Sequence, residues 1–117
     1  MHFYKINNTV LPSAIELPYD ELVPNTTDAA NEKHVPVIDR NDRTVRVHVG
    51  SVTHPMMEAH YIMWVAIETK LGETMGYQQK WLKPGMVPEA LFELAQGEEL
   101  IAAYEYCNLH GLWKAEA

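Results

Sequence analysis

Thr44-Val45-Arg46-Val47-His48-Val49 alternates valine with polar residues along its whole length. Successive strand side chains point to opposite faces. Val45, Val47 and Val49 therefore share one apolar face and Thr44, Arg46 and His48 a polar one, the pattern of a half-buried strand. Upstream, His34 to Ile38 reads as its partner across the polar turn Asp39-Arg40-Asn41-Asp42. Downstream, HYIMWVAIETK from His60 is rich in β-branched and aromatic residues, and Leu71-Gly72-Glu73-Thr74 turns it into a second arm at Tyr77 to Leu82. After Lys83-Pro84-Gly85 come a strand around Leu91 to Leu94, a turn at Gln96-Gly97 and a last run from Leu100 to Tyr106. Pro88 to Leu94 also admits one helical turn, but no window supports a long amphipathic helix. The residues before about 31 mix Pro, Asn, Thr and acidic side chains without periodicity and read as an irregular leading segment. Short strands separated by Gly and Pro turns predict an all-β antiparallel sandwich rather than α/β.

The chain has 117 residues, 47% of them hydrophobic, which suits a single domain over 1–117 with one packed core. No stretch approaches the roughly 20 apolar residues that cross a bilayer, and MHFYKINNTV lacks the basic-then-apolar run of a secretory signal. The expectation is a soluble, cytoplasmic protein. A formal charge of -7, with Lys and Arg nowhere gathered into a stripe, disfavours nucleic acid and anionic membrane as partners. Cys107 is the only cysteine, which excludes an internal disulfide and any multi-cysteine metal centre built within one chain.

The most specific local signal is Cys107-Asn108-Leu109-His110-Gly111, directly after an apolar strand. A thiolate and an imidazole three positions apart on a tight turn can reach one ion, and Gly111 permits the dihedrals such a turn needs. Taken alone, the same residues also fit a buried, inert cysteine beside a surface histidine. His54-Pro55-Met56-Met57-Glu58-Ala59-His60 lies between the valine strand and the aromatic strand, where Pro55 stops the ladder and leaves two histidines flanking a loop. Each of them singly also fits a loop or interfacial core histidine. Glu32-Lys33-His34-Val35-Pro36 marks the entry to the first strand and by itself fits a solvated charge pair. The combination is what carries weight: three segments each place histidine at a strand boundary, and the one thiol sits beside one of them. His48, on the polar face of the valine strand, and His2, near the terminus, read as non-ligands.

The segments EKHVPVI, VGSVTHPMMEAHYIMW, WLKPGMVPEA and EYCNLHGLWK, in this order from about Glu32 to Lys114, resemble the iron domain of the superoxide reductases, the neelaredoxin and desulfoferrodoxin family. The resemblance implies a seven-stranded immunoglobulin-like antiparallel β-sandwich. It implies one mononuclear non-haem iron, cycling between Fe2+ and Fe3+, held by His34, His54, His60 and His110 in a plane with the Cys107 thiolate axial. In the family's pattern His110 binds through its δ nitrogen and the other three through their ε nitrogens. Desulfoferrodoxins carry a further four-cysteine iron domain at the N-terminus. This chain, with no cysteine before Cys107, resembles the one-iron class. Met57, Ala59 and Met63 make the ligand loop and the strand after it less charged than expected of relatives.

The implied function is one-electron reduction of superoxide to hydrogen peroxide, with electrons from an external donor such as rubredoxin. A metal that must cycle by one electron excludes zinc as the working ion. An axial thiolate donates electron density to the iron, as in cysteine-ligated haem. Amides of Leu109 and His110 are expected to hydrogen-bond the sulfur. Because a chain at -7 repels superoxide at long range, Lys33 is expected to supply local positive charge and help deliver protons. By resemblance, Glu32 binds the open position of the ferric resting state. Relatives form homo-oligomers, and a tetramer is favoured, with Tyr4, Leu11 and Leu17 of the leading segment expected at an interface. The rival readings are a non-catalytic iron-binding or electron-transfer sandwich with a closed site, a superoxide dismutase that needs no donor, and an interaction module with incidental histidines.

Overall fold

The structure is a computed structural model, and it describes residues 1–28, 33–50 and 54–117. All regular structure among these residues is β. There are nine strands: β1 His2–Ile6, β2 Thr9–Ser13, β3 Pro36–Asn41, β4 Thr44–Val49, β5 Ile62–Leu71, β6 Thr74–Trp81, β7 Glu89–Glu93, β8 Glu99–Cys107 and β9 Gly111–Glu116. Seven of them make the sandwich, with β3-β4-β7 as one antiparallel sheet and β6-β5-β8-β9 as the other.

The valine strand does what its alternation demands. Val45, Val47 and Val49 are buried, whereas Thr44, Arg46 and His48 are only half-buried. The valines meet Val65, Ile67 and Ala103 of the other sheet, with Phe92 from β7, in the core between the sheets. On the opposite face, Arg46 bridges Asp39 and Glu89 from the two neighbouring strands, an ordinary solvated cross-strand ladder. The segment that also admitted a helical turn is strand β7, paired with β4 from Thr44↔Glu93 to His48↔Glu89. Its buried residues, Ala90, Phe92 and Leu94, recur every second position, and that period belongs to a strand.

Strand β5 is buried on both faces, and its sequence shows how. Val65 and Ile67 face the inter-sheet core, while Trp64 and Ala66 face outward. A register shift between Ile62 and Trp64 lets Ile62 share the inner face with Val65 although they are an odd number of residues apart. The outward face is covered by the leading segment, which departs from the irregular reading: β1 and β2 form a hairpin. Its loop is Asn7-Asn8, both at positive φ (49° and 63°), the backbone of a two-residue type I′ turn. Phe3 enters a second core with Trp64, Ala66, Ala102, Tyr104 and Leu112, its ring 4.7 Å from that of Tyr104 and 5.9 Å from that of Trp64. Tyr104 donates to Glu68 at 2.7 Å in the same layer. Burial, with Glu68 adding to it, holds the Tyr104 hydroxyl far above the ordinary phenol range.

Tyr4 corrects one expectation. It is fully buried within its own chain, accepting the N–H of Leu17 at 2.7 Å and donating to Glu21 at 3.3 Å, so it cannot face a second subunit. Beyond the hairpin, Asn25 pairs in parallel with Trp113 along the open edge of β9, which carries the leading segment across the sandwich to Asp28.

Candidate metal centre

The fold brings one end of the four-stranded sheet against the loops that leave β4 and enter β3. Cys107 closes β8 and pairs with Gly111, which opens β9, so Asn108, Leu109 and His110 form a three-residue loop. Gly111 at φ 81° supplies the left-handed residue that ends such a loop. Cys107 is fully buried; His110, three residues on, is exposed. Its Nδ1 lies 3.8 Å from the cysteine Sγ, the nitrogen that C-x-x-H spacing on this loop turns inward.

His54 precedes β5 and is 3% exposed. Its Nδ1 lies 2.7 Å from its neighbour's carbonyl, Pro55 O. A carbonyl only accepts, so the proton sits on Nδ1 and the lone pair on Nε2, the nitrogen turned toward the cluster. That Nε2 is 2.9 Å from His34 Nε2 and 3.9 Å from Cys107 Sγ. His34, 2% exposed, is held by its backbone: Asp28 Oδ1 accepts its N–H at 2.6 Å and that of Val35 at 2.8 Å. His60 is half-buried and closes its loop through a bridge with Met57, each N–H donating to the other's carbonyl at 2.9 Å.

Together, ligand atoms of His34, His54, His60 and Cys107 lie within 4.8 Å of one another, and the His110 ring centre is 4.8 Å from that of His34 and 5.1 Å from that of His60. Adjacent donors each about 2.1 Å from one ion stand about 3 Å apart, which the 2.9 Å between the His34 and His54 nitrogens matches. Imidazole and thiolate are donors for a transition metal, not for calcium or magnesium. The residues therefore fit such an ion. Among the described residues burial is graded across the cluster, from Cys107, His34 and His54 inside to His60 and then His110 at the surface, so the His60–His110 side is open to a small anion.

Of the remaining residues singled out in the sequence, Lys33 is half-buried and adjoins His34, and Glu32 lies outside the described residues. His2 and His48 lie apart from the cluster. Each faces a carboxylate, Glu21 at 2.6 Å and Asp39 at 3.4 Å.

Four residues at the site escaped the sequence reading. Asp28 caps His34 from a segment without periodicity. Asn108 sits inside the C-x-x-H spacing and bonds the His60 loop. Trp113 stacks on His34 with ring centres 4.7 Å apart and planes at 14°. Glu105, two residues before Cys107, is fully buried between the sheets, and neither carboxylate oxygen has a hydrogen-bond partner among the described residues. Burial, and secondarily the charge of Asp28, push its carboxyl well above the usual range. Only Trp113 carried a signal, since in an alternating β9 it falls on the same face as the residue paired with Cys107.

Comparison with known proteins places this arrangement. Residues 26–116 match the family model described as Desulfoferrodoxin. The chain is 51% identical over 92 residues to the desulfoferrodoxin of Desulfarculus baarsii, covering 79% of this chain and 68% of that one. It is 43% identical over 110 residues to the desulfoferrodoxin of Clostridium acetobutylicum, covering 94% and 82%. Among solved structures, the superoxide reductase of Treponema pallidum superposes with a TM-score of 0.73 at 38% identity, over 97% of this chain and 84% of that one. The superoxide reductase (1Fe-SOR) of Giardia intestinalis superposes with a TM-score of 0.66 at 33% identity, over 74% and 98%.

Proposed function

This chain belongs to the desulfoferrodoxin family, and from that membership we propose that it is a superoxide reductase holding one mononuclear iron on His34, His54, His60, Cys107 and His110. The observation that carries the reading is the convergence of these imidazoles on one fully buried thiol, with His110 exposed at the outer end of the cluster. When bound, the iron supplies the one-electron couple that passes an electron to superoxide. Superoxide, one electron and two protons give hydrogen peroxide, so the electron comes from an external donor, such as rubredoxin, and the protons from water.

The chain's own residues set the conditions. Burial of Cys107 keeps water from the sulfur, and hydrogen bonds from the backbone N–H groups of Leu109 and His110, in the three-residue loop that follows it, would tune its basicity. The His54 tautomer is fixed by Pro55, so its ε nitrogen meets the ion without prior loss of a proton. Lys33 supplies positive charge beside His34 and offsets part of the repulsion that a chain at -7 exerts on an anion. Glu32, adjoining it in sequence, would offer a carboxylate to the oxidised ion. We also propose a homo-oligomer, with a tetramer favoured, which sedimentation velocity of the full chain tests; a monomer at micromolar concentration would overturn it.

The deciding experiment is the visible spectrum of iron-loaded protein before and after chemical oxidation, with Cys107→Ser alongside. A long-wavelength thiolate-to-ferric band that appears on oxidation and is absent from the variant is the expected result. Iron loading without that band would sink the thiolate ligation. Stopped-flow mixing with superoxide then separates the chemistries: stoichiometric peroxide without oxygen evolution supports a reductase, oxygen evolution a dismutase, and no reaction a closed electron-transfer site. Lys33→Ala is expected to slow the second-order step several-fold at low salt and to flatten its salt dependence.

A further inference from the structure

Two side chains that the proposed chemistry leaves unused are bonded to the segments that carry it. Asn108 brackets His60. Its Oδ1 accepts the N–H of Tyr61 at 3.0 Å, its Nδ2 donates to the carbonyl of Ala59 at 3.1 Å, and its backbone N–H donates to the carbonyl of Tyr61 at 3.2 Å. The residues on both sides of His60 are thereby fixed to the turn that carries Cys107 and His110. Trp113 acts on the other half of the cluster. Its indole lies flat against the His34 ring, and its Nε1–H donates to the His110 carbonyl at 3.1 Å.

Trp113 is itself held on both flanks, by β8 through its pairing with Glu105 and by the bridge to Asn25, and it is 8% exposed. It is therefore a rigid surface for an imidazole to rest on. Three segments distant in sequence are joined in this way through protein contacts alone: the entry to β3, the loop before β5 and the β8–β9 turn. An imidazole on a mobile loop loses rotational freedom when it binds an ion, and contacts that remove that freedom beforehand raise affinity without touching the ion.

We infer that Asn108 and Trp113 are positioning residues that set His60 and His34 against the Cys107–His110 turn before metal binds, an inference that rests on the iron site proposed above. Asn108 suits the test because it is exposed and belongs to neither core, so its removal leaves the packing of the sandwich intact.

The experiment uses the full chain loaded with ferrous iron, comparing wild type with Asn108→Ala, Asn108→Asp, Trp113→Leu and Trp113→Phe. Iron loss to an added ferrous chelator and the energy and width of the ferric thiolate band are read, together with the thermal midpoint of the metal-free proteins. Asn108→Ala and Trp113→Leu are expected to release iron about 10–100-fold faster and to shift or broaden the band. Asn108→Asp keeps an acceptor for Tyr61, and Trp113→Phe keeps a ring against His34, so both fall between these variants and wild type. If Trp113→Leu does not fold, Asn108→Ala and Trp113→Phe decide. Wild-type release and an unaltered band in those two would overturn the inference alone. A wild type that lacks the band would overturn the thiolate–iron reading and this inference with it.

Discussion

The sequence singled out the residues that converge because they stand on segments that connect strands, His34 just before β3, His54 and His60 between β4 and β5, and Cys107 and His110 at the β8–β9 turn, and such connections are what one end of a sandwich brings together. What holds them is less visible. Asp28 carries no motif, yet its carboxylate accepts two consecutive backbone N–H groups, those of His34 and Val35. Bonds from N–H to a charged acceptor contribute about 1.5–3 kcal/mol each, and the two share one oxygen. Asp28→Ala is expected to cost about 2 kcal/mol in urea unfolding of the metal-free chain, whereas Asp28→Asn, which keeps a neutral acceptor, should recover about half of that. Equal stability of all three proteins would show that the cap is incidental. At the other ligand segment, Gly111 stands at φ 81° with open space where a Cβ would be. Gly111→Ala therefore meets only backbone strain, on the order of 1 kcal/mol, and the thiolate band should survive it.

Strands were legible from alternation where one face is wet and from β-branched and aromatic content where neither is. β4, with its regular alternation, coincides with its predicted span, and β5, β6 and β8 lie within a few residues of theirs. Three strands were missed, for two different reasons. β1 and β2 join through Asn-Asn rather than a glycine-containing turn, and Pro12 within β2 reads as a strand breaker although an edge strand tolerates it. β9 follows so closely on the Cys107–His110 motif that its alternation was absorbed into the chemistry. At this scale the β5–β6 hairpin and the β7–β8 turn are locked together at one end. Glu98 accepts the Thr69 hydroxyl and, at 2.7 Å, the N–H of Ala95. Opposite them Gly76 leaves room that any Cβ would take from the Thr69 hydroxyl. The Thr69 bond first, and the Ala95 bond second, hold the Glu98 carboxyl below its ordinary value of 4.5. A depressed carboxyl stabilises the fold above its unfolded pKa, and that contribution is lost as pH falls through the folded value. Wild type should therefore exceed Glu98→Gln in stability by a constant margin at neutral pH, and the margin should shrink below about pH 4.5 in a series of urea titrations. A margin that does not vary with pH would remove the carboxylate from this role.

At the scale of the whole molecule, a sheet covered on both faces explains why the leading segment is structured. β5 and β8 send Trp64, Ala66, Ala102 and Tyr104 outward, an apolar surface that water would otherwise meet and that the hairpin covers with Phe3. The sequence contained this fact, since HYIMWVAIETK has no wet face, but a run apolar on both faces does not announce what covers it. The two cores lie on opposite sides of one sheet, and the metal cluster belongs to the inner side, where Cys107 is packed. The cores should accordingly fail separately. Phe3→Ala empties a fully buried ring site and is expected to cost about 3–5 kcal/mol of stability. Below its melting temperature the same variant should keep the wild-type thiolate band and iron-release rate. If the band shifts or iron leaves faster in folded Phe3→Ala, the hairpin is coupled to the site. The physical route would then be the strap through Leu22, which donates to the Phe3 carbonyl at 2.8 Å, and on through Asn25 to the Asp28 cap of His34.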